Sequence, residues 1–437
     1  MPERIKTLVL MSLVAGSIFL TALLLFGQPA LETAAPPAYE RLVFGELRPI
    51  PEHIQPVLRL GKEGQWQILY PWESDYQGAW AAMQELLRHS STPQIGEPPP
   101  DYMEQAVLAK FPVSSSSAFW EPASRAAYLD IIAILWLELE PKTLWYLSSD
   151  HAWYSSSLSA QPADNWTATL REAFSLSPVY TEIDAHQWPL PIQADTTIIV
   201  PQTLPHLTAY SVRQENLDSE KLLRSIFVNT ALVRRIEERD GAFIYTDGQR
   251  GLRLFQHGEV EYTSPKSEPG IEPMETAQAL RRVAQYLQLM GGWPEHVYIE
   301  QLLAAEKAAW NRREWDTYLV SFYAAQKGYR VESAAPPIRL RFSDRGVIDY
   351  RRQVCILEAP IGKLEPLIEP QLAATTVADV LAAEDIGTYL LDVYPGYYLE
   401  HLGTGQAIAQ PAWVFVFDQH KKAVVHGHTG RFLAWLE

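Results

Sequence analysis

Along most of the chain, apolar residues recur either at every second position or at three- and four-residue spacings, and these two periods mark out strands and helices. Residues 77–87 and 164–174 carry the helical period and predict amphipathic helices. Residues 124–139 carry it as well: Tyr128, Ile131, Ile132, Leu135, Trp136 and Leu139 fall on one face, which predicts a core helix. Extended runs are predicted at residues 65–70, 143–147 and 152–154. The proline-rich WPLPIQ, residues 188–193, then marks a boundary. Beyond it, a strand over 196–200 and a helix through 222–227 precede three short extended runs, 242–246, 252–255 and 259–263. Asp247-Gly248 and His257-Gly258 separate those runs and are good turn pairs because glycine accepts positive φ, so a three-stranded meander is expected. After the linker SPKSEPGIEP come a helix over 274–290 and strands near 297–303, 318–324, 338–342 and 347–354. A second helix over 377–384 leads to strands at 389–398, 412–417 and 423–426. A helix followed by an antiparallel run of strands, twice, predicts two related α+β units, each with its helix on one sheet face.

The N-terminal pattern differs. Residues 8–26 form an uncharged apolar run, long enough as a helix to reach roughly 28 Å and span a bilayer core. Arg4 and Lys6 precede it, which leaves the short N-terminus in the cytoplasm and the bulk of the chain outside. A cleavable signal peptide is the competing reading, but its apolar region is usually shorter, about 7–15 residues. Gly16, Ser17, Thr21 and Ala22 are small residues that let a second membrane helix approach closely; ordinary helix composition accounts for them equally well. The expected division is a cytoplasmic N-terminus (1–7), an anchor (8–26), a Pro/Ala-rich linker (27–40), an α+β domain (41–192), a middle domain with the meander (193–268) and a C-terminal domain of two helix-plus-sheet units (269–437). The fold class is therefore α+β: a transmembrane helix followed by a multidomain extracytoplasmic region of antiparallel sheets with packed helices.

Composition narrows the function. The 437 residues include 52 acidic and 36 basic side chains, a net charge of −16 that opposes binding to nucleic acid. The single cysteine, Cys355, excludes an intrachain disulfide and a multi-thiolate metal site. An exported chain of this size with one thiol fits a Gram-positive surface better than a compartment with dedicated oxidative folding.

No Gly-x-Ser-x-Gly elbow, His-Glu-x-x-His helix or Walker loop is present, and no catalytic, cofactor or metal residue is expected. The serine run 114–117 reads as solvated linker, since no base adjoins it to activate a hydroxyl. His426 and His428 would project to the same side of a strand and hold a metal with a third ligand, but a surface turn at Gly427 is the favoured reading. Asp247 and Arg250 in YTDGQRG read as a turn in which the aspartate caps backbone amides rather than as a charged site. Cys355 reads as a small buried hydrophobe. The cluster Tyr394, Pro395, Gly396, Tyr397 and Tyr398 suits either stacking on a sugar or peptide, or a kinked strand in the core, which is favoured.

Taken in order, RIKTLVL at the anchor, IYTDGQRGLRLF followed by VEYTSP, GWPEHVYIE, RGVIDYRR, GYYLE and PAWVFVF resemble the YycH family across nearly the full length. The resemblance implies a bitopic membrane protein without enzymatic activity, an extracytoplasmic regulator associated with the essential YycFG (WalRK) two-component system of Gram-positive bacteria. It further implies partnership with a YycI-like protein and the sensor histidine kinase YycG/WalK, effects on cell-wall metabolism, no cofactor, and a C-terminal part like the YycI outer domain. Two other readings stand beside it: an anchored cell-wall enzyme or carbohydrate- or peptide-binding protein, which a deep pocket with paired, pKa-shifted carboxylates would favour, and a structural adaptor.

Overall fold

The computed structural model describes residues 42–47, 49–62, 64–99, 106–116, 130–137, 143–158, 163–194, 196–227, 229–264, 274–307, 314–401, 406–418 and 421–436, together with Met11, Val14, Gly16 and Ser17. Those last four are helical and exposed, and they belong to a separate unit, Met1–Leu42. The rest of the predicted anchor, Thr21 and Ala22 included, lies outside the described residues. Among the described residues no helix is long and apolar enough to cross a membrane.

Val43–Glu437 forms one unit built on two sheets. The first contains β1 (Val57–Lys62), β2 (Gln65–Leu69), β3 (Gln94–Ile95), β4 (Ala106–Ser116), β5 (Asp130–Leu137), β6 (Thr143–Ser148), β7 (Trp153–Ser157), β8 (Val179–Glu182) and β9 (Ile199–Pro201). Its order is β3-β7-β6-β5-β4-β1-β2-β8-β9, with antiparallel pairing throughout. The two helices expected in this region form, as α1 (Tyr76–Arg88) and α2 (Ala163–Ser175). They supply Trp80, Met83, Leu86, Leu170 and Phe174 to a core shared with Leu58, Leu69, Val107 and Ala109 of the sheet.

Two expectations fail here. Residues 130–137 are strand β5, not part of a core helix, and they sit between β4 and β6 near the middle of the sheet. A strand with apolar residues on both faces loses its two-residue alternation, so IIAILWL satisfies helical spacing by accident. The serines are not solvated linker either: Ser114, Ser115 and Ser116 end β4, with Ser115 and Ser116 buried and paired to β5, while Ser117 lies outside the described residues.

The second sheet begins at β10 (His206–Gln214), after which α3 (Ser219–Ile226) is capped by Asp218, whose carboxylate accepts from the Glu220 and Lys221 amides. Then come β11 (Arg234–Glu237), β12 (Phe243–Thr246), β13 (Gly251–Leu254) and β14 (Val260–Thr263). The expected meander is β12 to β14; it gains β11 on one side and pairs on the other, through β14, with the large sheet. Helix α4 (Thr276–Leu289) leads to β15 (Val297–Lys307), β16 (Glu314–Gln326), β17 (Tyr329–Glu332), β18 (Ile338–Ser343), β19 (Gly346–Arg352) and β20 (Cys355–Pro366). Helix α5 (Pro370–Glu384) leads to β21 (Leu390–His401), β22 (Ala407–Phe417), β23 (Lys422–His426) and β24 (Phe432–Leu436).

The two helix-then-strand runs join into one sheet. Short β17 runs parallel to β21, pairing Arg330 with Gly396, and β10 pairs with both β20 and β22. Gly396 is required at that crossing, because a Cβ there would stand 2.8 Å from the Arg330 carbonyl oxygen. The first sheet meets the second where β4 packs on β15 and β9 on β21. Trp72, just after β2, ties them further: its Nε1 donates to the Gly328 carbonyl at 3.0 Å while its ring stacks on Tyr70.

Candidate functional site: a charged cleft between the sheets

On β1 and β4 the register sets Val57 opposite Lys110 and Arg59 opposite Leu108, so these four side chains share a face. It is the face turned away from Leu58 and Ala109, which are in the helix-backed core. On the second sheet, Asp392 pairs with Val416 and Val416 with Lys422, placing all three on one face together with Tyr394, two residues along β21. Between these surfaces lies a cavity of about 840 Å³, also bordered by Trp66, Glu300 and Arg330. A neighbouring cavity of about 500 Å³ shares Arg59, Arg330, Asp392 and Tyr394 and adds an aromatic wall of Tyr70, Trp72, Tyr180 and Tyr329, with Glu73 at its side.

One side of the cleft is a balanced ion network. Glu300 Oε1 accepts from Arg330 Nη2 at 2.7 Å and from Lys422 Nζ at 2.6 Å. Lys422 also donates to Glu332 Oε2 at 3.0 Å, and the Tyr394 hydroxyl donates to Glu332 Oε1 at 2.9 Å. The Arg330 guanidinium lies over the Tyr323 ring, 3.9 Å from its centroid. Burial alone would raise the Glu332 pKa, but the Lys422 and Arg330 charges outweigh it and keep the carboxyl well below its ordinary value. Burial pushes the Tyr394 hydroxyl well above its ordinary value, so it is a donor at neutral pH. These four ions hold one another.

The other side is less balanced. Arg59 approaches Asp392 only to 3.9 Å, and its Nε is buried with no acceptor among the described residues. Lys110 is exposed, yet desolvation by the cleft walls and then the nearby Arg59 charge lower its pKa, with Asp392 partly offsetting both. In the adjoining cavity, burial pushes Glu73 up to about 7, with Asp75 adding and a backbone hydrogen bond at Tyr70 opposing.

Of the residues singled out from the sequence, Ser114 and Tyr394 line the larger cavity and Pro395 the adjoining one, and the others lie elsewhere. Asp247 caps its turn as expected: Oδ1 accepts from the Gln249 and Arg250 amides, and Oδ2 from the Arg250 side chain at 2.6 and 3.0 Å. His426 Nδ1 accepts from the His428 and Thr429 amides, so this ring closes the turn at Gly427. Among the described residues no group of three or more His, Cys, Asp or Glu side chains is placed to hold a metal. Cys355 is buried, which raises its thiol pKa to about 11. Tyr397 is core, packed edge-on to Tyr210. Gly16 and Ser17 are on helical, exposed backbone.

Sequence reading missed the cleft because its charges come one or two at a time from strands far apart in the chain. The available signal was a charge inside an otherwise apolar strand: Arg59 in VLRLGK, Lys110 in AVLAKFPV, and Arg330 with Glu332 in YRVE.

No protein-family model matches the sequence, and no curated protein does. Among solved structures, the crystal structure of YycH from Bacillus subtilis superimposes with a TM-score of 0.60, at 13% identity, over 89% of this chain and 100% of that one. The fold is YycH-like. At that identity the likeness is one of fold alone, and it runs through both sheets. An uncharacterized protein from Eubacterium rectale (TM-score 0.39, 10% identity, 58% of this chain and 93% of that one) is a weaker neighbour. So is the YpeB C-terminal domain of Bacillus megaterium (0.28, 12%, 51% and 98%).

Proposed function

We propose that the chain is a non-enzymatic accessory regulator that acts by contact on a membrane sensor histidine kinase of the YycG/WalK type, alongside a YycI-like protein, in a two-component system governing cell-wall metabolism. The observation that carries this reading is the YycH-like fold over most of the chain, in company with the ordered motifs from RIKTLVL to PAWVFVF. In this reading residues 8–26 remain in the cell membrane with the N-terminus cytoplasmic and the sheets outside. Gly16, Ser17, Thr21 and Ala22 form the surface that packs on kinase helices. A preference of about 1–3 kcal/mol for one of two kinase arrangements changes signalling five-fold or more, and a few close helix contacts supply that much. The balanced ion network supports a structural rather than catalytic use of the buried carboxylates. The test is to replace residues 8–26 with an unrelated membrane helix and follow transcription under kinase control. Altered output with the remainder still folded supports contact regulation; unchanged output removes it.

One observation favours a second reading, an anchored carbohydrate- or peptide-binding protein: the aromatic-walled cavity at Tyr70, Trp72, Tyr180 and Tyr329. Under that reading Trp72→Ala abolishes retention on cell-wall material while kinase output is unaffected.

A further inference from the structure

Four cations line the larger cavity, Arg59, Lys110, Arg330 and Lys422, against two carboxylates, Glu300 and Asp392. Arg330 and Lys422 are accounted for by Glu300 and Glu332. Asp392 stands at the outer limit of an ion pair with Arg59. Lys110 remains: exposed at the cleft, it has no hydrogen bond or ion pair to any carboxylate among the described residues. Arg59 and Lys110 also share a face on adjacent strands, where like charges repel. The adjoining wall is apolar, formed by Trp66, Leu302 and Leu303, the last being one of the exposed large hydrophobic residues. A cavity of this size falls within the range of small-molecule sites, about 300–1,000 Å³.

We infer that the cleft binds a small organic anion, with one carboxylate or phosphate head between Arg59 and Lys110 and an apolar or ring body against Trp66, Leu302 and Leu303. An anionic oxygen at this position supplies the acceptor that Arg59 Nε–H lacks and neutralises Lys110, and charge-assisted bonds of this kind are the strong ones. Asp392 sets the ligand's charge: its carboxylate beside the head group repels a polyanion and admits a single acidic group. The site requires neither the anchor nor a kinase, so it stands or falls apart from the regulatory reading.

The experiment titrates the full-length chain, purified in detergent, with 4-hydroxybenzoate and with phenyl phosphate, using benzamide as the neutral control and calorimetry as the readout. Saturable binding of either anion at up to about 1 mM, without binding of benzamide, is expected. Lys110→Met weakens it about tenfold or more, Lys110→Arg restores it, and thermal unfolding confirms that both variants fold. The arm that responds identifies the head group as carboxylate or phosphate, and response in both assigns the shared oxyanion chemistry. Absence of saturable binding in both arms overturns the inference, as does binding that survives Lys110→Met unchanged or is matched by benzamide.

Discussion

Arg352 and Arg59 are both strand arginines withdrawn from bulk water, and they are treated in opposite ways. Arg352, with its side chain 2% exposed, donates to both Glu215 oxygens at 2.7 and 2.9 Å and to the Gly292 carbonyl at 2.7 Å. Three segments meet there: the end of β10, the turn after α4, and β19. The turn is built around it, since Gly291 has φ +103° and a Cβ at that position would stand 2.6 Å from Leu217 Cδ1. Arg59 has one carboxylate at 3.9 Å, an Nε without an acceptor among the described residues, and a cavity in front of it. Fully satisfied buried charge fixes how segments cross, whereas incompletely satisfied charge beside a void leaves room for something else.

That contrast is sharpest in the loss of one partner. Arg352→Leu leaves Glu215 without its bidentate partner and is expected to cost about 3–5 kcal/mol in chemical denaturation. A loss below about 1 kcal/mol would show that the junction does not depend on the pair. Lys422→Met, in the balanced part of the cleft, is expected to cost less, about 2 kcal/mol, because Arg330 still faces Glu300 and Glu332. This loss depends on pH. The folded Glu332 pKa is depressed, so its stabilising contribution is present above pH 4.5, the ordinary value, and is lost as pH falls through the folded pKa. Wild type and Lys422→Met should therefore converge in acid, and parallel curves would break the assignment.

Glu73 titrates with the opposite sign. Its folded pKa is raised from 4.5 to about 7, so the protonated form favours folding below pH 4.5 and that advantage is lost as pH rises to 7. Glu73→Gln is expected to flatten this slope and to add about 1 kcal/mol at pH 8, a figure reduced for the group's partial exposure. Unfolding curves at pH 5 and pH 8 measure it. The smallest effect belongs to Lys110→Met in the absence of anions, within about 0.5 kcal/mol of wild type. A loss comparable to that of Arg352→Leu would mean that Lys110 is structural and that the two regions are not different in kind.

How much was legible in the sequence follows the range of the forces involved. Helices α1, α2 and α4 form within a few residues of where the apolar period places them, and the meander turns at Asp247-Gly248, with Gly248 at φ +86°. Capping, turn chemistry and amphipathic spacing are settled over about four residues, so a local pattern contains them. Strand β5 escapes the two-residue period because its sequence is apolar at successive positions, and no local pattern marks β10 or β17. The pairing of β10 with β20 and β22, like the parallel run of β17 beside β21, joins residues well separated along the chain. No local window records those pairings.

The candidate site was the least legible part for the same reason. Of the residues singled out, Ser114 and Tyr394 border the larger cavity and Pro395 the adjoining one; Arg59, Lys110, Glu300, Arg330, Asp392 and Lys422 come from strands far apart in the sequence. The α+β class, the principal helices and the self-capping turns follow from the amino-acid order, because they depend on neighbours along the chain. Which strand charges meet a partner and which face an open cavity is settled by the folded arrangement, because electrostatic compensation depends on distance in space.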